Sequence, residues 1–255
     1  MIEISDNGKA TVPLVLHGII RDNRSGSFED LSCSKLEWML EYMHAEQQTH
    51  EEKDRMSNHG KQFILTFDDG HISNFELAFP LLKKFDRKAL FFVVTDFIGK
   101  PGYMDWEQIK ELLDAGMFVG SHSHTHPEFT CLSLDEVKFE LETSKKILEQ
   151  NLSNEITMFS FPFGKYKWKH SQLALEIGYQ YLFGSQHGLI TKYQTTFPRN
   201  SINNSMTSLQ IQYAMDANFW RRMSWYMEDV LKSNLKSVFG DDRYRKMRDY
   251  LLLGR

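Results

Sequence analysis

Two adjacent carboxylates, Asp68 and Asp69, close the segment Phe63-Ile64-Leu65-Thr66-Phe67-Asp68-Asp69-Gly70, so a buried strand would deliver both to its end. Side by side they repel. The simplest arrangement that tolerates the pair gives one to a divalent metal and leaves the other to carry protons. Matching ligands stand in Ser121-His122-Ser123-His124-Thr125-His126-Pro127. A catalytic divalent ion usually takes three protein ligands and keeps a position open for water or substrate, and Asp69, His122 and His126 make such a set. One helical turn or a tight loop would aim His122 and His126 at a single ion, with Pro127 marking a boundary. The same stretch also fits simple alternation, in which a strand would set His122, His124 and His126 on one exposed face.

The elements that would hold these residues alternate between strand and helix. Thr11–Leu16 reads as a strand ending at His17, followed by a polar loop. Ser34-Lys35-Leu36-Glu37 has the form of a capping box opening a helix with Leu36, Met39, Leu40 and Met43 on one face. A hydrophilic connector from His50 to Lys61 leads to the Phe63–Phe67 strand. Ala89–Val94, Met117–Gly120, Met158–Phe161 and Tyr181–Phe183 read as further strands. Between them lie helices over Trp106–Ala115, Ser133 to about Asn151, and Ser171–Ile177, two of them closed by Gly116 and Gly178. This alternation predicts an α/β fold with a parallel sheet covered by helices, either open or closed into a barrel, and both place chemistry at the carboxyl ends of strands. His17, Asp68, Asp69, His122 and Pro162 all fall just past strand ends.

The 255 residues, 41% hydrophobic and 25% charged, are enough for one globular core, and a net charge of −4 gives no electrostatic footprint for nucleic acid. The polar start Met1-Ile2-Glu3-Ile4-Ser5-Asp6 and the lack of a long apolar run predict no signal peptide and no membrane span, hence a cytoplasmic chain. In that compartment Cys33 and Cys131 are expected as free thiols without a metal role. The barrel domain is placed at residues 1–205, with its core over 60–200. The remaining 206–255 form a helical extension whose Trp220, Met223, Trp225, Tyr226 and Met227 would cover the barrel or meet a second subunit.

At this level of detail the residues resemble a known family, the polysaccharide deacetylases with the NodB-homology domain, carbohydrate esterase family 4. Thr66–Gly70 is similar to the family's first motif, and His122-Ser123 with His126 to its second. Phe91-Phe92-Val93-Val94, Ala115-Gly116 and Phe161-Pro162-Phe163-Gly164 also look familiar, so that the likeness runs from about Val12 to Asn200. The resemblance implies a distorted (β/α)7-type, irregular TIM-like barrel. It implies that Asp69, His122 and His126 bind the metal, that Asp68 is the general base, and that a backbone N–H near Phe163 helps to hold the oxyanion.

Two departures from the family pattern carry expectations of their own. The third motif usually begins with an arginine that orients the base, and Ser160 stands at that place, so Arg199 in Phe197-Pro198-Arg199-Asn200 is the candidate partner of Asp68. The late histidine that protonates the leaving amine has no clear counterpart after Asn200. His17, within Pro13-Leu14-Val15-Leu16-His17-Gly18-Ile19, resembles the N-terminal motif of a rearranged branch and takes that role, with His187 as its rival. Pro162, Phe163, His187 and Tyr103 are expected to line the substrate site, where Tyr103, His71 and Trp106 could stack on a sugar ring.

The expected function is metal-dependent removal of an N-acetyl group from an amino sugar. Zinc is first by ligand type, and cobalt, nickel, iron or manganese would also be accepted. Two alternatives stay open: a deacylase or deformylase of a small amide, and a carbohydrate-binding protein impaired in turnover.

Overall fold

The computed structural model describes residues 10–217 except 25, 54–60 and 192–193, together with Met223, Ser224, Met227 and Val230. By contacts the chain divides into two compact units, Met1–Asp216 and Ala217–Arg255. Of the aromatic residues expected in the C-terminal extension, Trp220, Trp225 and Tyr226 lie outside the described residues.

The first unit alternates strand and helix. Strand β1 (Ala10–Leu16) leads through the short pair β2 (Ile19–Ile20) and β3 (Leu31–Ser32) to helix α1 (Cys33–Lys53) and β4 (Lys61–Phe67). Then follow a π-helical turn at Asn74–Ala78 continued by α2 (Phe79–Lys84), β5 (Ala89–Val93), α3 (Trp106–Asp114) and β6 (Phe118–Ser121). The chain goes on through α4 (Leu134–Leu152), β7 (Met158–Ser160), α5 (Trp168–Ile177), β8 (Tyr181–Phe183), β9 (Thr196–Phe197), β10 (Asn200–Ser201) and α6 (Ser208–Asp216).

Eight of these strands form one all-parallel sheet in the order β10-β1-β4-β5-β6-β7-β8-β9. Its two edges, β9 and β10, are parts of one short segment joined by Pro198 and Arg199, so Thr196–Ser201 spans the seam and acts as a single split stave. Six full strands plus this stave give the irregular seven-staved barrel, with Thr11 and Ile190 bridged across the same gap. Because β5 is buried on both faces, its Ala89–Val93 reads as a continuous apolar run, as parallel strands covered on both sides do. Ile64, Leu90, Phe92, Phe183, Ile190 and Phe197 make one packed cluster.

Parallel registry sets the strand ends level. Leu16 pairs with Phe67 and the Asp68 N–H reaches the Leu16 carbonyl at 2.9 Å, which puts His17 beside Asp68. On the other side Val93 pairs with Ser121, and the His122 N–H bonds the Val93 carbonyl at 2.9 Å. Two remote motifs thus arrive at one end of the sheet.

Local signals account for most helix ends. Ser133 and Glu136 form the capping box of α4, and Gly178 at φ 104° closes α5. α1 differs from expectation at both ends. Ser34 lies inside the helix, and both its N–H and hydroxyl bond Asp22 Oδ1, while Glu37 pairs with Lys84. The cap therefore comes from 12 residues upstream. The helix also runs on through the hydrophilic stretch to Lys53, because Glu and Lys favour helix even where no apolar face remains.

Candidate active site

Asp68 is buried at 3% exposure at the end of β4, and its carboxylate is gripped from the seam. Arg199 Nη1 donates to Oδ1 and Nη2 to Oδ2, each at 2.7 Å. The remaining guanidinium donors are also used. Nη1 bonds Thr66 Oγ1 at 3.0 Å, Nη2 bonds Ser160 Oγ at 2.7 Å, and Nε bonds the Gly184 carbonyl at 2.9 Å. All five N–H groups of a fully buried arginine are thereby satisfied, and the guanidinium carbon sits 5.4 Å from the Phe92 ring centre. Ser160 donates to Asp68 Oδ2 at 3.3 Å. A small side chain at this place leaves room for a guanidinium arriving from the opposite wall.

Burial alone would raise the Asp68 pKa. The Arg199 charge, the His122 charge, the Arg199 hydrogen bonds and His17 together outweigh it, and the carboxyl is held below the ordinary range.

Asp69 reaches into the histidine loop. Its Oδ1 lies 3.4 Å from His122 Nε2 and 3.3 Å from His126 Nε2, and one ligand atom from each of the three residues falls within 4.8 Å of the others. His122 Nδ1 is 2.8 Å from the Ser160 carbonyl. A carbonyl only accepts, so Nδ1 carries the hydrogen, which leaves Nε2 as the atom that could bind an ion.

The electrostatics favour positive charge here. Burial opposes a charged His122, yet the Asp68 and Asp69 carboxylates overcome it and raise its pKa. Burial likewise opposes ionised Asp69, and hydrogen bonds to His122 and His126 with charge from His122 and His17 drive its pKa well down. Two imidazole nitrogens and one carboxylate, converging where a cation is favoured, suit a catalytic divalent ion.

The histidines stand on a loop and not on a helix or an exposed strand face. Ser123 (φ 71°) and His126 (φ 64°) adopt left-handed conformations, as does Asp69 (φ 70°), and such strain persists only where surroundings over-determine it. His124 turns away, with Nδ1 2.8 Å from Thr95 Oγ1.

His17 is half-buried, its charge acts on both Asp68 and Asp69, and its Nδ1 has no hydrogen-bond partner among the described residues. His187 lies on the adjoining loop, next to Gln186, whose carbonyl accepts the Arg199 N–H. Pro162 and Phe163 form the turn after β7. Phe163 sits at φ 57° with its ring 59% exposed and 4.7 Å from His126, and neither hydrogen bond of the turn uses its N–H. Tyr103 stacks on His71 at 5.2 Å and packs on Phe97, which reaches His126. Trp106 opens α3, half-buried.

Sequence reasoning missed Thr66 as an Arg199 partner, His71 at 3.7 Å from Asp69 Oδ2, and Glu140 under the histidine loop. Thr66 could have been suspected from its place two residues before Asp68, on the same strand face.

A curled parallel sheet with an Asp–Asp strand end and a histidine loop defines a class of barrel hydrolase. The chain belongs to the polysaccharide deacetylase family, whose model matches residues 55–182. It is 37% identical over 121 residues to the peptidoglycan-N-acetylglucosamine deacetylase PgdA of Listeria monocytogenes, covering 46% of this chain and 24% of that protein. It is 27% identical over 130 residues to the peptidoglycan-N-acetylmuramic acid deacetylase PdaA of Bacillus subtilis, covering 49% and 47%. The chain thus spans about half or less of the length of the curated relatives it matches. The Streptococcus pyogenes deacetylase PplD, solved in complex with acetate, shares the fold with a TM-score of 0.70 at 22% identity over 81% of this chain and 98% of that one.

Proposed function

We propose that this protein is a metal-dependent hydrolase that removes N-acetyl groups from an amino sugar, with zinc as the first candidate ion. The observation that carries the reading is the division of the Asp pair: Asp69 converges with His122 and His126, while both oxygens of Asp68 are held by Arg199 with Oδ2 still 3.8 Å from His122 Nε2. The two relatives named as peptidoglycan deacetylases support an N-acetylated amino sugar as the substrate class.

In this reading Asp69, His122 and His126 hold the ion. When bound, it supplies a Lewis acid that acidifies water and polarises the amide carbonyl. Asp68, ionised at neutral pH, takes the proton from the attacking water. The Phe163 N–H, not used by its own turn, faces the developing oxyanion. As the C–N bond breaks, His17 delivers a proton to nitrogen, since an unprotonated amine leaves poorly. Pro162, Phe163, Tyr103 and His187 line the approach.

Of the alternatives, the impaired binding protein is disfavoured, because Arg199 supplies the charged, two-pronged contact to the base that a serine at 160 does not. The test is acetate release from chitooligosaccharides, peptidoglycan, and free and nucleotide-linked N-acetylhexosamines, by protein stripped with chelator and then reloaded. Activity that falls with stripping and returns with zinc, and is absent in Asp69→Asn and His126→Ala, is expected. Stoichiometric metal with no amine released from any of these substrates would overturn the hydrolase reading.

A further inference from the structure

Glu140 is a buried carboxylate with no part in the chemistry above. It stands on α4 at 5% exposure, aimed into the histidine loop rather than at a cation. Its Oε2 accepts the His124 and Thr125 N–H groups, both at 2.8 Å, and its Oε1 accepts the Thr125 hydroxyl at 2.7 Å. These are the backbone amides between the two histidines placed at the ion. On either side of them Ser123 and His126 hold left-handed conformations.

Successive N–H groups converging on one anionic oxygen form a backbone nest, here filled by the protein's own side chain. Charge-assisted bonds of this kind are about twice as strong as neutral ones, which suits a contact that must offset loop strain. α4 also reaches the strand entering the loop, where Ser121 Oγ bonds Ser144 Oγ at 2.8 Å.

We infer that Glu140 is a positioning residue that presets the His122–His126 loop for its ion and so sets the affinity for the metal. The inference rests on the metal reading of Asp69, His122 and His126. Partners that orient ligands from outside the coordination shell typically change metal affinity by about 10–100-fold when removed. Glu140→Gln separates geometry from charge. Its amide oxygen can accept the two N–H groups while its NH2 donates to the Thr125 hydroxyl, which then serves as acceptor, so all three bonds survive without the negative charge.

The experiment is a zinc titration of metal-free protein against a chromophoric chelator, for the wild type, Glu140→Ala, Glu140→Gln and His126→Ala, alongside thermal melts of the metal-free forms. The expected result is a dissociation constant about 10–100-fold weaker in Glu140→Ala and within about threefold of wild type in Glu140→Gln. Wild-type affinity in folded Glu140→Ala would reduce the residue to a structural support and overturn the inference, whatever its melting temperature. Equal weakening in both Glu140 variants would overturn positioning in favour of simple charge. A wild type that binds no zinc, or a His126→Ala variant that binds it normally, would instead overturn the metal reading and with it this inference.

Discussion

Replacing Arg199 by glutamine removes the one guanidinium that keeps Asp68 ionised. In the native protein burial pushes the Asp68 pKa up, and Arg199, foremost among its neighbours and joined by His122 and His17, brings it down. Take the cation away and burial dominates, so the pKa should rise above the ordinary value near 3.9. Two charge-assisted bonds, each 2.7 Å long, are lost. At about 1.5–3 kcal/mol per hydrogen bond to a charged group, the loss favours the protonated over the ionised carboxyl by several kcal/mol. The sign for catalysis follows. The base must be ionised to accept a proton, so the acidic limb of the pH dependence of kcat/KM should move to higher pH.

The sign for stability is the reverse of the native case. In the wild type the depressed pKa contributes stability that is complete above the unfolded value and lost as pH falls below about 4; in Arg199→Gln the raised pKa opposes folding at neutral pH and relents as pH falls. The assay is acetate release by metal-saturated protein from pH 4 to 9, with urea melts at both ends of the range. Arg199→Lys keeps the charge but not the planar fork, and should leave the acidic limb near the native position while turnover drops roughly 10–100-fold, about one lost charged hydrogen bond. An acidic limb unmoved in Arg199→Gln, or unchanged turnover in Arg199→Lys, would refute the role given to Arg199.

His17→Ala should lose most of its deacetylation, measured on the same substrate; a similar loss confined to His187→Ala would transfer the acid role. Gly164→Ala should destabilise the fold by about 1–3 kcal/mol in urea melts, because φ is +64° and the new Cβ would meet Ser185 Oγ and lie 2.7 Å from its backbone nitrogen. Asp105→Ala, which removes the side chain bonding the Gln108 N–H at 2.9 Å, should cost about 1 kcal/mol and leave zinc affinity as it was.

What could be read from the sequence is what adjacency encodes. Asp68-Asp69 and His122-Ser123-His124-Thr125-His126 are contiguous, follow apolar runs, and so announce both their elements and their chemistry. Ser133 and Glu136 mark the start of α4 for the same reason. The helical stretch from Asn74 to Lys84 was not read, because Pro80 interrupts its middle and a π turn breaks the 3.6-residue period. The cap of α1 lies at Asp22, and the support of the histidine loop at Glu140, 15 and 16 residues from its partners. Neither spacing belongs to a helix or a strand, so only the folded chain reveals it. β9 and β10 have two residues each, too few for any alternation to register.

Those two short strands carry more than their length suggests. β9 pairs with β8 and β10 with β1, so the segment between them is what brings the sheet's edges together, and Arg199 lies in that segment. Its Nε bonds Gly184 after β8, Nη1 bonds Thr66 on β4, and Nη2 bonds Ser160 on β7. One side chain therefore ties three staves and the base to the seam. An arginine in place of Ser160 would reach Asp68 from within a single strand, and the base would be set by local geometry alone. With serine there, the base is oriented only when the seam is closed. The ordering of Asp68 is thus coupled to completion of the barrel, whereas Asp69, His122 and His126 are held by strands β4, β6 and β7 and by α4, none of which belongs to the seam.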